Sequence, residues 1–358
     1  MANDLGADAI AAANVGAGAV RSAFDEAALA AWMTRNVEGF EGPLLVEQFN
    51  GGQSNPTYRL TGANARYVLR RKPPGPLVKG AHDVAREARV QQALADSDVP
   101  VAPILGLCED PEVLGSEFYV MALVEGRIFW DAGFGEVAPA ERAAYLDEMN
   151  RVMAALHRVD YQAAGLAHHG RPGNYFARQV ARWSRQYQED ELAGRDPGMD
   201  ALVAWLPGAI PASEETTLIH GDFRCDNLIF HPSEPRILAV LDWELSTLGH
   251  PLADFAYHAM FYTMPPDIVA GLGGQDPRAL GLPTESEYLA AYCRRTGRQA
   301  IPDWDFYIAF NYFRLAAIFH GIRGRVLRGT AANAEAARRA EAFSRLVELG
   351  CQAMERCR

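Results

Sequence analysis

Two oxygen-bearing side chains flank a sequence pattern that predicts a β-hairpin. Residues 228–230 and 237–241 are apolar strands, and the segment 231–235 between them, with its two prolines, predicts the turn. In such a hairpin the start of the first strand lies beside the end of the second, so we expect Asn227 and Asp242 to face one point. An amide oxygen and a carboxylate at that point suit Mg²⁺, which prefers oxygen ligands.

Asp222 lies on the loop that leads into this hairpin, five residues before Asn227. The catalytic loop of kinases has the same spacing between the Asp that accepts the proton of the attacking hydroxyl and the Asn that binds metal. His220 is the residue type expected two positions before that base, where it braces the loop. These agreeing spacings favour a site for phosphoryl transfer. One alternative is a structural loop whose carboxylates pair with arginines. The other is a metallophosphoesterase with a site made of His220, Asp222, His231 and His250.

Several motifs of this chain resemble the aminoglycoside phosphotransferase family, a kinase-like fold that includes choline kinases. The first is His-Gly-Asp at 220–222 with Asn227, followed by Leu-Asp-Trp-Glu at 241–244. A closer resemblance is to the kinase-like domains fused to, or encoded beside, some acyl-CoA dehydrogenases. It rests on FNGGQSNPTY at 49–58, YVLR at 67–70, GNYFAR at 173–178 and GHPLADFA at 249–256. These motifs span about residues 40–330, nearly the whole chain.

The resemblance implies an α+β, two-lobed fold of the protein-kinase type. The N-terminal lobe would be a small antiparallel β-sheet with one helix, and the larger C-terminal lobe would be mainly helical with the catalytic β-hairpin. Hydrophobic periodicity agrees, because β-like runs dominate before residue 125 and helical patterns follow it. We expect a flexible tail at 1–20, a nucleotide-covering lobe at 21–124, and a catalytic and substrate lobe at 125–358.

Individual helices and strands follow from the same patterns. Strands are predicted at 44–49, 58–60, 66–70, 101–107 and 118–124, in addition to the hairpin. Helices are predicted at 22–36, 82–95, 139–159, 174–190, 252–262, 285–296, 304–327 and 331–356. The chain thus changes from mostly β to mostly helical near residue 125.

A glycine-rich turn between two early strands is the candidate phosphate-binding loop. It contains Gly51, Gly52, Ser54 and Asn55. Glycines there let backbone N–H groups approach phosphate oxygens closely. Taken alone, such a pair of glycines is most often a simple hairpin turn, so its assignment to ATP follows from the resemblance.

The strand at 66–70 offers an apolar residue and a cation on one face. Val68 and Arg70 share that face by the period of two. The resemblance implies that Val68 covers adenine, that Arg70 contacts phosphates where most relatives have Lys, and that Glu87 pairs with the cation. Lys72 is the alternative cation, and Glu87 alone could equally be a solvated helix charge.

The resemblance also assigns the hinge and the residues that support the loop. Met121, Leu123 and Val124 would contact adenine near the hinge between the lobes. Asp254 would hold the catalytic loop together with His220. Glu244, two residues after Asp242, could reach a second metal through water.

Two basic stretches without acids, 171–187 and 306–334, predict how the substrate binds. They contain Arg178, Arg182, Arg314 and Arg323 among interleaved aromatic residues. Arginine with aromatics suits phosphate, carboxylate or a nucleotide-like group, such as a hydroxyacyl-CoA. The alternative is that these arginines pair with acids elsewhere in the fold.

Composition narrows the classes of partner. The chain of 358 residues has 34 Lys and Arg against 45 Asp and Glu, a net charge of −11, which is unfavourable for nucleic acids and anionic membranes. The absence of a long apolar run excludes a membrane span, and the residues at 1–20 lack the pattern of a signal peptide. Five scattered cysteines favour neither a disulfide framework nor a zinc site, and indicate a cytoplasmic protein.

The sequence therefore predicts an enzyme that uses ATP and Mg²⁺ to phosphorylate a hydroxyl group of a small, anionic molecule. An aminoglycoside kinase with the same chemistry is one alternative. A nucleotide-binding module without transfer activity is another, since Arg70 replaces the usual Lys, although Asp222, Asn227 and Asp242 are all present to oppose it. The sequence gives no oligomeric state.

Overall fold

The computed structural model describes residues 16–20, 24–49, 55–73, 82–331 and 334–357. The described strands are β1 (Ala17–Gly18), β2 (Leu45–Phe49), β3 (Thr57–Thr61), β4 (Arg66–Arg71), β5 (Ile104–Cys108), β6 (Phe118–Ala122), β7 (Thr217–Ile219), β8 (Leu228–Phe230), β9 (Ile237–Val240) and β10 (Thr247–Gly249). The described α-helices are α1 (Glu26–Asn36), α2 (Val84–Leu94), α3 (Pro111–Leu114), α4 (Pro139–His157), α5 (Tyr175–Glu189), α6 (Pro197–Ala209), α7 (Pro251–Ala259), α8 (Pro266–Val269), α9 (Glu285–Thr296), α10 (Trp304–Leu327) and α11 (Ala334–Arg356).

These elements fall into two compact units that interleave along the chain. The sheet unit contains the described residues of Asp4–His169 together with Asp222–Ser246. The helical unit contains the described residues of Gly170–Gly221 and Thr247–Arg358. The lobe boundary near residue 125 stays a prediction, and the chain crosses between the units again inside the candidate catalytic loop.

The sheet unit is built on six antiparallel strands in the order β1-β2-β3-β4-β6-β5. Alternate residues of β4 pack into different clusters: Leu69 joins Trp32 of α1 on one side, and Val68 joins Ala88 of α2 on the other. Since side chains alternate along a strand, Arg70 lies on the same side as Val68. Arg70 therefore lies on the face of β4 that packs against helix α2.

The hairpin β8–β9 completes this second core. Leu228 pairs with Val240, and Leu241 N–H donates to the carbonyl of Asn227 at 2.9 Å. Ile229 and Leu241 pack in the same cluster as Val68. Apolar burial thus fixes the hairpin against the sheet and helix α2.

Helix α2 begins at Val84, two residues after the predicted start at 82. The side chain of Asp83 caps it by accepting from Arg86 N–H at 2.9 Å, and Glu87 follows in the first turn. Six other residues of this helix are buried together with Glu87. The side chain of Glu87 is 1% exposed. The helix therefore carries a buried acid toward strand β4.

The helical unit packs around the long helix α10. Helices α5, α6, α7 and α11 all contact it, and most of its residues are buried. A two-stranded pairing of β7 with β10 lies in the same unit. None of the described helices is long and apolar enough to cross a membrane.

Candidate active site

Asn227 holds Asp222 in the sheet unit. Its Nδ2 donates to the Asp222 carbonyl at 2.9 Å and to Asp222 Oδ2 at 3.2 Å. A 3-10 turn, Cys225–Asn227, sets this geometry by bringing Asn227 N–H to the carbonyl of Arg224. Both predicted residues are buried, so the carboxylate has a fixed position on the loop.

Arg224 adds a positive charge beside the same loop. Its Nε lies 3.5 Å from Asp222 Oδ1, and its Nη2 lies 2.7 Å from Asp226 Oδ2. Burial raises the pKa of Asp226, while the charge of Arg224 acts in the opposite direction. Sequence reasoning did not single out Arg224, although an Arg between two acids two residues away on either side predicts such a pair.

The amide orientation of Asn227 leaves one oxygen for another group. Because Nδ2 faces Asp222, Oδ1 points elsewhere, and it is buried with no hydrogen-bond partner among the described residues. Asp242 stands at the same end of the hairpin, one residue after the Leu241–Asn227 hydrogen bond. The backbone of Asp242 is left-handed, at φ 61°, which is uncommon for a residue other than Gly.

These two residues fit a magnesium ion. Among the described residues, no group of three or more His, Cys, Asp or Glu side chains is placed to hold a metal ion. An unpartnered amide oxygen and a carboxylate match the oxygen donors of Mg²⁺, which usually keeps several waters and takes substrate phosphates as further ligands. Glu244 follows in the turn Trp243–Leu245 and is half-buried.

Arg70 links the strand, the helix and the hairpin of the sheet unit. Its Nε lies 2.8 Å from Glu87 Oε2, and its Nη2 lies 3.0 Å from Asp242 Oδ1. All three side chains are nearly inaccessible to solvent. The alternative cation, Lys72, lies elsewhere, with its Nζ 3.5 Å from Glu117 Oε2 and a third of its side chain exposed.

Polar neighbours surround the carboxylate of Glu87. Asn55 Nδ2 donates to Oε1 at 2.8 Å, and the Tyr119 hydroxyl donates to Oε2 at 3.3 Å. Burial raises the pKa of Tyr119, and the negative charge of Glu87 raises it further. The side chain of Asn55 thus faces Glu87, while the predicted phosphate-binding residues Gly51, Gly52 and Ser54 lie outside the described residues.

The predicted adenine-contacting residues pack together. Val68 and Met121 are buried in one cluster, and Leu123 and Val124 pack against it. Leu241 of the hairpin belongs to the same cluster. The apolar patch therefore lies on the face of β4 that also carries Arg70.

Arg86 ties helix α2 to the segment that follows Asp242. Its Nη2 donates to the carbonyl of Ser246 at 2.8 Å and to that of His169. The Ser246 hydroxyl in turn donates to the carbonyl of Trp243 at 2.6 Å and contacts His169 Nε2 at 2.8 Å. Sequence reasoning missed this residue, although a cation in the first turn of a helix, where the dipole disfavours it, was an available signal.

His169 is kept neutral in this network. Burial lowers its pKa to about 4, and the positive charge of Arg86 contributes in the same direction. Burial and the nearby guanidinium both disfavour a second positive charge on this ring. The network therefore depends on the protonation state of His169.

In the helical unit, Asp254 holds the two residues that precede Asp222, the predicted base. Its Oδ2 accepts from His220 N–H and its Oδ1 from Gly221 N–H, both at 2.8 Å. Gly221 has a φ of +86°, which favours Gly over other residues. Arg314 donates from Nη2 to the Gly221 carbonyl at 2.7 Å, so this predicted substrate residue supports the loop backbone.

The other predicted substrate arginines differ in their contacts. Arg178 donates to the carbonyls of Gly173 and Arg171, which closes the start of α5. The Arg182 guanidinium lies over the Trp183 ring, 4.8 Å from its centroid. Arg323 is exposed on α10.

Comparisons with known proteins agree on one family. Residues 45–310 match the model of the phosphotransferase enzyme family. The chain is 44% identical over 310 residues to acyl-CoA dehydrogenase family member 10 of Mus musculus, a match that covers 86% of this chain and 29% of the relative. The chain spans less than half the length of the curated relatives that it matches.

Solved structures show the same fold. A crystal structure from Ralstonia eutropha, provisionally named an aminoglycoside phosphotransferase, is 50% identical with a TM-score of 0.87, covering 93% of this chain and 99% of that one. A thermostable mutant of an aminoglycoside phosphotransferase, in a ternary complex with AMP-PNP and hygromycin B, is 17% identical with a TM-score of 0.55, covering 90% and 98%. The predicted α+β, kinase-like fold is confirmed.

Proposed function

Because this chain belongs to the phosphotransferase enzyme family, we propose that it transfers the γ-phosphate of ATP to the hydroxyl of a small anionic molecule, in the class of a hydroxyacyl-CoA. The chain is a phosphotransferase that acts on hydroxyl groups of small molecules. ATP as donor is supported by the AMP-PNP complex of the aminoglycoside phosphotransferase that shares its fold.

The observation that carries the proposal is the pairing of Asp222 with Asn227. The Asp222 carboxylate would accept the proton of the substrate hydroxyl as its oxygen forms a bond to the γ-phosphorus. The bond from that phosphorus to the β,γ-bridging oxygen breaks, and ADP leaves with its electron pair. Asn227 keeps the carboxylate oriented through its Nδ2.

A Mg²⁺ ion would be held by Asn227 Oδ1 and by the carboxylate of Asp242. Bound there, Mg²⁺ supplies charge neutralisation for the phosphate oxygens. Arg70, fixed by Glu87 and Asp242, adds a second positive charge on the same face of the sheet unit. Most of the catalysis would then be positioning and electrostatic stabilisation.

Two observations support an anionic substrate. Helix α5 presents Arg182 and Arg185 with no acidic partner in the described part of the chain. The curated relatives are named as acyl-CoA dehydrogenase family members, which supports an acyl-CoA context. A second candidate substrate is an aminoglycoside, favoured only by the name of the structure that is 50% identical.

The test is ADP release from ATP and Mg²⁺ with a panel of acceptors. It contains a 4-hydroxyacyl-CoA, a 3-hydroxyacyl-CoA, a free hydroxy acid, choline, homoserine and kanamycin. Stimulation by a CoA ester and its loss in Asp222→Ala would support the proposal. Stimulation by kanamycin alone would assign the aminoglycoside activity instead.

A further inference from the structure

An open cleft of about 460 Å³ lies within the helical unit. Its lining consists of Arg182, Arg185, Gln186, Glu189, Asp190 and Arg328. Three guanidinium groups therefore face two carboxylates, which leaves the lining with a net positive charge. In a chain with a net charge of −11, this local excess favours an anion.

The pair Asp190–Arg328 satisfies its own charges. Arg328 Nη1 donates to Asp190 Oδ1 and Arg328 Nη2 donates to Asp190 Oδ2, both at 2.8 Å. Asp190 also accepts from Ala193 N–H. The pair fills the space above Gly324, where a Cβ would come within 2.0 Å of Asp190 Oδ2. Hydrogen bonding to Arg328 lowers the pKa of Asp190, so this acid stays ionised and committed to Arg328.

Arg182 and Arg185 are left as the available cations. They are three residues apart on α5 and share a face of the helix. Neither forms an ion pair within the residues that the structure describes, and Glu189, which also lines the cleft, forms none either. Arg182 lies over Trp183, which keeps its planar group oriented for bidentate contacts.

A further arginine of the same unit, Arg314, contacts the backbone of the candidate catalytic loop. Desolvation lowers the pKa of Arg182, and the charge of Arg314 lowers it further. Arg314 donates to the carbonyl of Gly221, which directly precedes Asp222 in the chain. The charges of Arg182 and Arg314 therefore act on each other within the helical unit, and Arg314 contacts the backbone of the loop.

We propose that this cleft binds the phosphate groups of the substrate's carrier, that is, the diphosphate and ribose phosphate of a CoA ester. The choice of CoA rests on the proposed function, whereas the phosphate chemistry rests on the arginines themselves. Guanidinium groups bind phosphate oxygens bidentately and remain charged at any physiological pH. The substrate would be held through its carrier while its hydroxyl reacts elsewhere on the molecule.

Equilibrium binding of CoA tests the site without catalysis. Isothermal titration is run with the full chain and saturating AMP-PNP, so that the nucleotide site is filled. The double variant Arg182→Ala/Arg185→Ala should weaken CoA binding at least about tenfold, because it removes both guanidinium groups that would donate to the phosphate oxygens. Glu189→Gln should tighten it, since it removes a negative charge from the cleft.

The matched control is Arg294→Ala, which removes an exposed arginine of α9 in the same unit. It should leave the CoA dissociation constant within about twofold of wild type, the range of a distant surface charge. Equal CoA affinity in wild type and in the double variant would overturn the proposal. So would a loss in Arg294→Ala as large as the loss in the double variant.

Two further arms separate this site from the proposed function. If CoA binding depends on Arg182 and Arg185 but no hydroxyacyl-CoA releases ADP, the site stands and the proposed function fails. If a hydroxyacyl-CoA is turned over with the same KM in the double variant, the function stands and the site fails. A third outcome is that wild type binds inorganic pyrophosphate but not CoA, and that the double variant binds neither. This result would support a phosphate-binding site and reject CoA as its ligand.

Discussion

Arg70 and Asp242, separated by 172 positions in the chain, are joined by a contact of 3.0 Å between Nη2 and Oδ1. The same guanidinium contacts Glu87 through Nε. One arginine thereby fixes strand β4, helix α2 and the end of the hairpin in the sheet unit. The family resemblance predicts that this arginine contacts the phosphates of ATP, at a position where most relatives have Lys.

Arg70→Lys should retain the charge but lose one of the two contacts, because an ammonium cannot reach two acids with the geometry of a planar fork. We expect kcat/KM for ATP to fall by about 10- to 100-fold, equivalent to about 1.4–2.8 kcal/mol. Steady-state ADP release measures it. Arg70→Met should also lower the free energy of unfolding by about 3–5 kcal/mol, because two buried carboxylates lose their partner.

Lys72→Met is the matched control for the strand cation. Its Nζ is partly exposed and 3.5 Å from Glu117, so both activity and thermal midpoint should stay close to wild type. A larger loss of kcat/KM in Lys72→Met than in Arg70→Lys would assign the phosphate contact to Lys72.

Asn227→Ala should increase the Mg²⁺ concentration needed for half-maximal activity, because it removes the unpartnered Oδ1. A shift of about tenfold or more is expected for the loss of a direct ligand. The measurement is a Mg²⁺ titration of ADP release at saturating ATP. Part of the loss in kcat will come from Asp222, which also loses the Nδ2 donor.

Asn311 offers a control with a similar amide. It is fully buried, donates through Nδ2 to the carbonyls of Ala253 and Tyr307, and has an Oδ1 without a hydrogen-bond partner among the described residues. Asn311→Ala should cost stability but leave the Mg²⁺ requirement unchanged. Equal Mg²⁺ shifts in both variants would contradict the metal assignment of Asn227.

Arg86→Ala should lower kcat about tenfold, because the helix that carries Glu87 loses its link to the segment after Asp242. Binding of AMP-PNP, measured by titration, should change much less than kcat. Arg89→Ala is the control, since Arg89 lies on the same helix and pairs with Glu109 at the surface. A kcat loss in Arg89→Ala that equals that of Arg86→Ala would leave no positioning role for Arg86.

His169 predicts a pH dependence of stability. Its folded pKa of about 4 is below the ordinary value of 6.5, so its contribution is present above pH 6.5 and is lost as the pH falls toward 4. At pH 5 the loss is about 2 kcal/mol for one such group. The charged groups that act on its pKa are Arg86, which lowers it, and Asp83, which raises it.

Urea unfolding at pH 7 and pH 5 measures this term. His169→Asn should lose less stability than wild type between the two pH values, while the exposed His168→Asn should lose as much as wild type. Identical losses in wild type and His169→Asn would contradict a neutral, buried His169.

Local pattern was sufficient for much of the fold, because helix α2 has one apolar face, although α10 is buried on nearly all sides and shows no such face. Helix α6 was not predicted, since Pro197, Gly198 and Pro207 lie within it and read as breakers. Pro197 is tolerated at the first helical position, where no N–H is needed.

In the candidate site, too, the sequence predicted some residues and missed others. Asp222, Asn227 and Asp242 were found because they are close in sequence and bracket a hairpin. The contact of Arg86 with Ser246 joins positions 160 residues apart, which no local pattern can predict. The partners of Arg178 and Arg314 are backbone carbonyls, and these are invisible to an argument based on charge pairs.

The central claim is that Asp222 accepts the proton of a substrate hydroxyl during transfer from ATP. The most direct measurement is product formation from ATP, Mg²⁺ and a hydroxyacyl-CoA by wild type and Asp222→Asn, with AMP-PNP affinity measured on both. The account predicts a phosphorylated CoA ester from wild type, at least about a 10²-fold lower kcat in the variant, and equal nucleotide affinity. Undiminished turnover by Asp222→Asn would contradict it.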